Sequence, residues 1–235
     1  MVNKTQTVIL NTARYPVAFL DLNDFVTKSP TLGHIVFLGQ TMLTSPELPD
    51  ILNTCKQHKI TVEFAHCENI LESNIKPIVY SGIVTHIYFL EQDTEKLTDT
   101  FAKLDKLKQK TNATSPILMQ IQTPSNKTSP QPKTFEFYNL ANNINSLPCA
   151  GLVQNTMINY DGLVFGCSEN AAGTPINAFR IGLDATLQHK FLKRMKRMLR
   201  TGRPDVNLPC CRCPVFLSLI WTNKKIRFTK TKDTK

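Results

Sequence analysis

The chain has 235 residues, 41% of them apolar and 20% charged, a composition that can bury a core and excludes a wholly disordered chain. No apolar run approaches the roughly 18–20 residues of a membrane span, and the opening MVNKTQTVIL lacks the apolar core and cleavage site of a secretory signal, so a cytoplasmic protein is expected. The formal net charge of +10 is unevenly spread: residues 1–148 carry 13 Lys+Arg and 13 Asp+Glu, whereas residues 149–235 carry 15 and 5.

In chain order, β-branched and aromatic runs predict strands at Tyr15–Leu22, His34–Leu38, Ile60–Ala65, Thr85–Leu90 and Ile117–Gln122. Pro46–His58 lies between the second and third, with Leu48, Ile51, Leu52 and Cys55 at helical spacing and Ser45-Pro46 as its expected cap and first-turn proline. Thr94–Lys110 lies between the fourth and fifth, with Leu97, Phe101, Leu104 and Leu107 in one apolar stripe. Such alternation predicts βαβ units and a mainly parallel sheet. One connection conflicts with this pattern. About ten residues separate the first two expected strands, fewer than the dozen or more of a parallel crossover, so a helix is missing there or the first strand joins differently.

Residues 123–134 form a polar, proline-bearing linker, and a short helix is expected at Phe135–Asn145. Beyond Cys149 the pattern changes. Met157–Ile158 and Leu163–Phe165 flank Asn159-Tyr160-Asp161-Gly162, which predicts a hairpin turning at Asp-Gly. Ala185–Thr201 reads as a basic helix, and the Lys/Thr-rich tail from Asn223 as a frayed end. The resulting division is an α/β domain at 1–122, a linker and short helix at 123–147, a cysteine-bearing module at 148–222 and a basic tail at 223–235.

Seven cysteines, an odd number crowded towards one end of a chain with no export signal, argue against a disulfide scaffold. Cys149 is followed after twelve residues by Gly162, then after four by Cys167; Cys210 and Cys213 form a C-x2-C pair 42 residues further on. A hairpin turning at Gly162 brings the first two thiols together, and one tight turn presents the second two. Four thiolates suit a [4Fe–4S] cluster or a tetrahedral zinc ion, and spacing alone does not choose between them.

The C-x12-G-x4-C pattern with a distant C-x2-C, around the segment INYDGLVFGCSE, resembles the SPASM module that follows many radical SAM domains, over about residues 148–215. The resemblance implies that Cys149, Cys167, Cys210 and Cys213 hold one [4Fe–4S] cluster, with Cys211 a bystander. The first part resembles a truncated radical SAM barrel: HIVFLGQTMLTSPELPDIL at 34–52 its second strand, Gly-Gly-Glu-Pro loop and helix, with CKQHKITVEFAHCENIL at 55–71 and YSGIVTHIYFLEQD at 80–93 its third and fourth strand regions.

Two departures bear on activity. The family holds its catalytic cluster with C-x3-C-x2-C after the first strand, and here FLDLNDFVTKSPTLG contains no cysteine. The loop that would cradle the methionine amino group of S-adenosylmethionine reads Gly39-Gln40-Thr41-Met42, without the carboxylate. S-adenosylmethionine is therefore not expected as a cofactor. An incomplete barrel or open sheet is expected, in a pseudoenzyme that carries a cluster for electron transfer or serves as a scaffold for a separate modification enzyme. The alternatives are an active radical SAM-type peptide-modifying enzyme whose S-adenosylmethionine cluster is supplied elsewhere, and a zinc-stabilised, RNA-binding adaptor.

The remaining candidates read as structural. Cys55 sits on a helix stripe and Cys67 ends the third strand, both as small buried hydrophobes. His66 and His86 lack partners at ligand spacing, and Asp21 and Asp24, placed at the end of the first expected strand, form no acid–base constellation by themselves. Lys190, Lys193, Arg194 and Arg197, with Lys196 and Arg200, form a cationic face suited to an acidic protein or peptide partner. No recognised nucleic-acid motif accompanies it.

Overall fold

The computed structural model describes residues 6–67, 69–90, 99, 102, 103, 106, 118–122, 156–165, 174–201, 203–208 and 211. In chain order these form β1 (Gln6–Asn11), α1 (Phe19–Thr27), β2 (Leu32–Leu38), α2 (Leu48–Gln57), β3 (Thr61–Cys67), α3 (Glu72–Ser81), β4 (Val84–Leu90) and β5 (Leu118–Gln122). They continue with β6 (Thr156–Asn159), β7 (Val164–Phe165), α4 (Ala178–Ile181), α5 (Leu183–Gln188) and α6 (Lys190–Thr201). One open sheet runs β5-β4-β3-β2-β1-β6-β7. Every neighbouring pair is parallel except β6 and β7, which form an antiparallel hairpin.

The strand expected at Tyr15–Leu22 is overturned. The first strand lies earlier, on the apolar run Val8-Ile9-Leu10, and residues from Phe19 are helical. Leu22, Phe25 and Val26 are buried at helical spacing, while Asp21 and Asp24 face solvent on α1 rather than ending a strand. The too-short crossover is thereby explained: α1 is the missing helix, and β1-α1-β2 is an ordinary parallel unit.

Four other elements depart in detail. Expected strands two to five appear as β2 to β5 with ends moved by one or two residues. Helix α2 has Glu47 as its cap residue, and Ser45 instead accepts the Glu47 N–H at 3.2 Å. Helix α3 had no counterpart among the expected elements, because Pro77 lies inside it. The basic helix expected at Ala185–Thr201 is two helices. His189 breaks it with extended backbone (ψ 131°), and its Nδ1 accepts the Phe191 N–H at 3.3 Å, capping α6. Of the helix expected at Thr94–Lys110, Asp99, Ala102, Lys103 and Lys106 are described and helical. The segment Phe135–Asn145 and the tail from Asn223 lie outside the described residues.

Side chains alternate across each strand, so the sheet has two unlike faces. On one face Val8, Leu10, Ile35, Phe37, Val62, Phe64, Ile87 and Phe89 pack with the apolar stripes of α1, α2 and α3 into a continuous core. The same core takes in Phe179 and Leu183 and the buried stripe Leu192, Met195 and Met198 of α6. The opposite face carries a separate small cluster of Ile9, Val36, Leu38, Ala65 and Tyr88, with Met157 against it.

The C-terminal helices are fastened to the end of α1. The rings of Phe25 and Phe179 meet at 5.5 Å, a contact worth about 0.5–1.5 kcal/mol beyond the area it buries. Nearby, Thr31 Oγ1 donates to Asp184 Oδ1 at 2.6 Å. Among the described residues no helix is long and apolar enough to cross a membrane.

Candidate functional site

Ligands of parallel α/β sheets gather beyond the carboxyl ends of the strands. Here that edge is formed by the segments after β1, β2 and β3. Thr12 N–H and Oγ1 both donate to the Leu38 carbonyl oxygen, at 2.7 and 3.1 Å, tying the first loop to the second. Gly39 N–H donates to the Ala65 carbonyl oxygen at 2.8 Å, tying the second to the third. Gly39 has φ +118°, and a Cβ on it would sit 2.5 Å from the backbone of Ala13. Only glycine fits this approach.

The rest of the Gly39–Met42 loop is committed to internal contacts. Thr41 Oγ1 donates to the Thr12 carbonyl oxygen, and Met42 is fully buried, its Sδ accepting the Val17 N–H at 3.3 Å. Asn74, itself buried, reaches back from α3 to donate to the carbonyl oxygens of Leu43 and Ser45 at 3.0 and 2.8 Å. Glu47 Oε2 accepts the Phe19 N–H at 2.9 Å and so caps α1 from the start of α2. His66, at the end of β3, has φ +61° where the β3–β4 register slips, and burial lowers its pKa.

Cys55 and Cys67 are fully buried, and burial pushes the Cys55 thiol up to about 12 and the Cys67 thiol higher. Both are free thiols, as is the half-buried Cys211. Among the described residues, no group of three or more His, Cys, Asp or Glu side chains is arranged to hold a metal ion. Cys149, Cys167, Cys210 and Cys213 lie outside the described residues.

The hairpin between the first two of those cysteines is described. Asn159 N–H donates to the Leu163 carbonyl oxygen at 2.8 Å, and Asp161 Oδ1 accepts the Leu163 N–H at 3.1 Å, closing the turn. Gly162 has φ +85°, and a Cβ there would lie 2.6 Å from Asn177 Oδ1 and 2.8 Å from the Phe179 ring. β6 adds to the sheet beside β1, with Val8 opposite Thr156 and Asn11 opposite Asn159.

On α6, Arg194 Nε and Nη2 both donate to Asp205 Oδ2, at 3.0 and 2.6 Å, and this pairing holds the Asp205 carboxyl below the usual carboxylate range. Lys190, Lys193 and Arg197 are exposed, while Leu192, Met195 and Met198 are buried. Arg194 is thus already paired within the chain.

Sequence reasoning missed a polar row on the second sheet face. Glu63 on β3 places Oε1 3.5 Å from His34 Nε2 on β2 and 3.1 Å from His86 Nδ1 on β4. The three residues are far apart in sequence. Only strand register joins them, with Glu63 directly opposite His86.

No family model matches the chain, and no curated protein does. Solved structures of Streptococcus suis SuiB are similar at a distance. SuiB bound to S-adenosylmethionine shares 12% identity, with 89% of this chain and 69% of that one covered at a TM-score of 0.48. A second structure of SuiB has 12% identity, 87% and 69% coverage and a TM-score of 0.46. SuiB bound to its precursor peptide SuiA has 11% identity, 89% and 70% coverage and a TM-score of 0.48.

Proposed function

We propose that the chain is a radical SAM/SPASM-like pseudoenzyme that carries one [4Fe–4S] cluster on Cys149, Cys167, Cys210 and Cys213. The observation that carries this reading is the β6–β7 hairpin, which turns at Gly162 inside the C-x12-G-x4-C pattern. A turn at that glycine returns the chain towards its starting point, as two thiols sharing one cluster require. The donor set fits the group: four thiolates complete a [4Fe–4S] core and leave no iron open to substrate, which favours electron transfer or a structural role over catalysis at the cluster. When bound, the cluster would supply one-electron chemistry. On this reading residues 148–222 are its binding module, joined through 123–147 to the α/β domain at 1–122.

Two features support a non-catalytic first domain. The stretch from Thr12 to Gly33 contains no cysteine. The loop Gly39–Met42 offers no carboxylate for an ammonium group, and its Thr41 hydroxyl and Met42 sulfur are bound within the protein. The chain would then serve a separate modification enzyme, as electron carrier or as the part that binds a peptide or protein. Lys190, Lys193 and Arg197 on α6 are the contacts we assign to an acidic partner.

The test is anaerobic purification followed by assay of iron, zinc and labile sulfide, and absorption spectra with and without dithionite. The expected result is about four irons and four sulfides per chain, with a visible band bleached on reduction. Cys213→Ala is expected to lose them. One zinc without sulfide would overturn the redox reading and leave a metal-stapled adaptor. Cleavage of added S-adenosylmethionine would overturn the pseudoenzyme reading.

A further inference from the structure

The row His34–Glu63–His86 stands at mid-strand on the face away from the α1–α3 core, beside the apolar cluster of Ile9, Val36, Ala65 and Tyr88. A carboxylate on a largely buried sheet face requires compensation. Both histidines aim a ring nitrogen at Glu63 Oε1, and their geometry fixes more than charge.

His86 Nδ1 has two neighbours, Glu63 Oε1 and Thr85 Oγ1, each at 3.1 Å. The Thr85 hydroxyl donates its proton to the Val62 carbonyl oxygen at 3.4 Å, so it presents a lone pair to the ring. A carboxylate and a hydroxyl with its proton turned elsewhere are both acceptors. Nδ1 must therefore carry the hydrogen, and in the neutral ring Nε2 carries the lone pair. The arrangement is the one by which a carboxylate prepares an imidazole to take up a proton. Glu63 is here a positioning residue.

Tyr88, two residues along β4, stacks on His86 with ring centroids 5.7 Å apart and planes 3° from parallel. It is only 3% exposed, and its hydroxyl has no hydrogen-bond partner among the described residues. Burial, together with the nearby Glu63 carboxylate, raises its pKa, which keeps the phenol a donor. A buried unpaired hydroxyl is costly in a finished core and is ordinary in a ligand site.

We propose that His86 Nε2 and the Tyr88 hydroxyl form an acceptor–donor pair that binds an amide group, as in a peptide bond or a carboxamide side chain. An amide supplies the complementary N–H and C=O. The Glu63 carboxylate disfavours an anion in the same place, which excludes a ligand carboxylate or phosphate. The inference deepens the partner-binding part of the proposed function and does not depend on the metal.

The test uses the full chain labelled with 15N-histidine and a titration with N-acetylglycinamide followed by NMR. The expected result is a neutral His86 protonated at Nδ1, with shifts at His86 and Tyr88 that saturate as the amide is added. Tyr88→Phe, which removes only the hydroxyl, is expected to weaken the apparent affinity at least about tenfold, the loss of one hydrogen bond. Glu63→Gln is expected to shift His86 towards the Nε2–H tautomer. A wild-type His86 protonated at Nε2 would overturn the orientation. Shifts that never saturate, or that survive Tyr88→Phe, would overturn the binding site. Metal analysis of the same sample reads the cluster proposal separately, so either can fail alone.

Discussion

The backbone N–H of Leu183, at the start of α5, donates to the hydroxyl oxygen of Ser29, just past the end of α1, at 2.8 Å. The same hydroxyl donates to the Phe25 carbonyl oxygen at 2.6 Å, so one buried side chain satisfies an N–H on one segment and a carbonyl on another, 154 residues apart. Ser29→Ala strands that buried N–H. The variant is expected to lose about 1–3 kcal/mol of stability in urea unfolding followed by circular dichroism. An unchanged midpoint would mean that the contact is not made in solution.

Asn74 provides the second test. Its amide clamps the carbonyl oxygens of Leu43 and Ser45, holding the loop after β2 against α3. Asn74→Ala removes one side chain and leaves two buried acceptors, and is expected to cost about 1–3 kcal/mol. Asn74→Asp is expected to be no better, because a carboxylate accepts where a donor is needed.

Thiol chemistry separates the described cysteines. Cys55 and Cys67 ionise only well above the ordinary thiol range, so at pH 8 iodoacetamide followed by peptide mass spectrometry should modify the half-buried Cys211 first and leave those two intact until unfolding. A stability consequence follows with a definite sign. The unfolded chain releases these protons near the model value of 9.0, whereas folded Cys55 holds its own to about 12. Protons bound more tightly by the folded state stabilise it below pH 9, and that contribution is lost as pH rises towards 12. Cys55→Ala should flatten this alkaline decline as read by thermal melts.

Gly162 ties the hairpin to α4. A methyl at that position would meet Asn177 Oδ1 and the Phe179 ring, at a φ that other residues adopt only with strain. Gly162→Ala is expected to lower stability by about 1–3 kcal/mol and, in metal-loaded protein, to reduce retained iron. Destabilisation with full metal retention would show that the hairpin turn is structural and does not position the cysteines.

Much of the α/β layer was legible in the chain. Strand runs such as His34–Leu38 and the stripe Leu48, Ile51, Leu52 and Cys55 report burial through periodicity, which is a local property. The Asp161-Gly162 turn was equally legible, because positive φ selects for glycine within four residues of chain. The failures were also local. Tyr15–Leu22 has the composition of a strand, but its apolar residues belong to a helical stripe that runs on to Phe25 and Val26. Pro77 hid α3 because a proline within a helix removes the usual signal.

By itself, then, the sequence determined the kinds of element, the uneven charge and the spacing of Cys149, Cys167, Cys210 and Cys213, all properties of residues near one another or of simple counting. Tertiary structure alone decided that the hairpin adds to the sheet beside β1, that Ser29 anchors Leu183, and that Glu63 lies between His34 and His86. These depend on parallel register between strands joined through intervening helices. In such a sheet a shift of one residue turns every side chain to the other face, and it is burial of the shared core that selects the register.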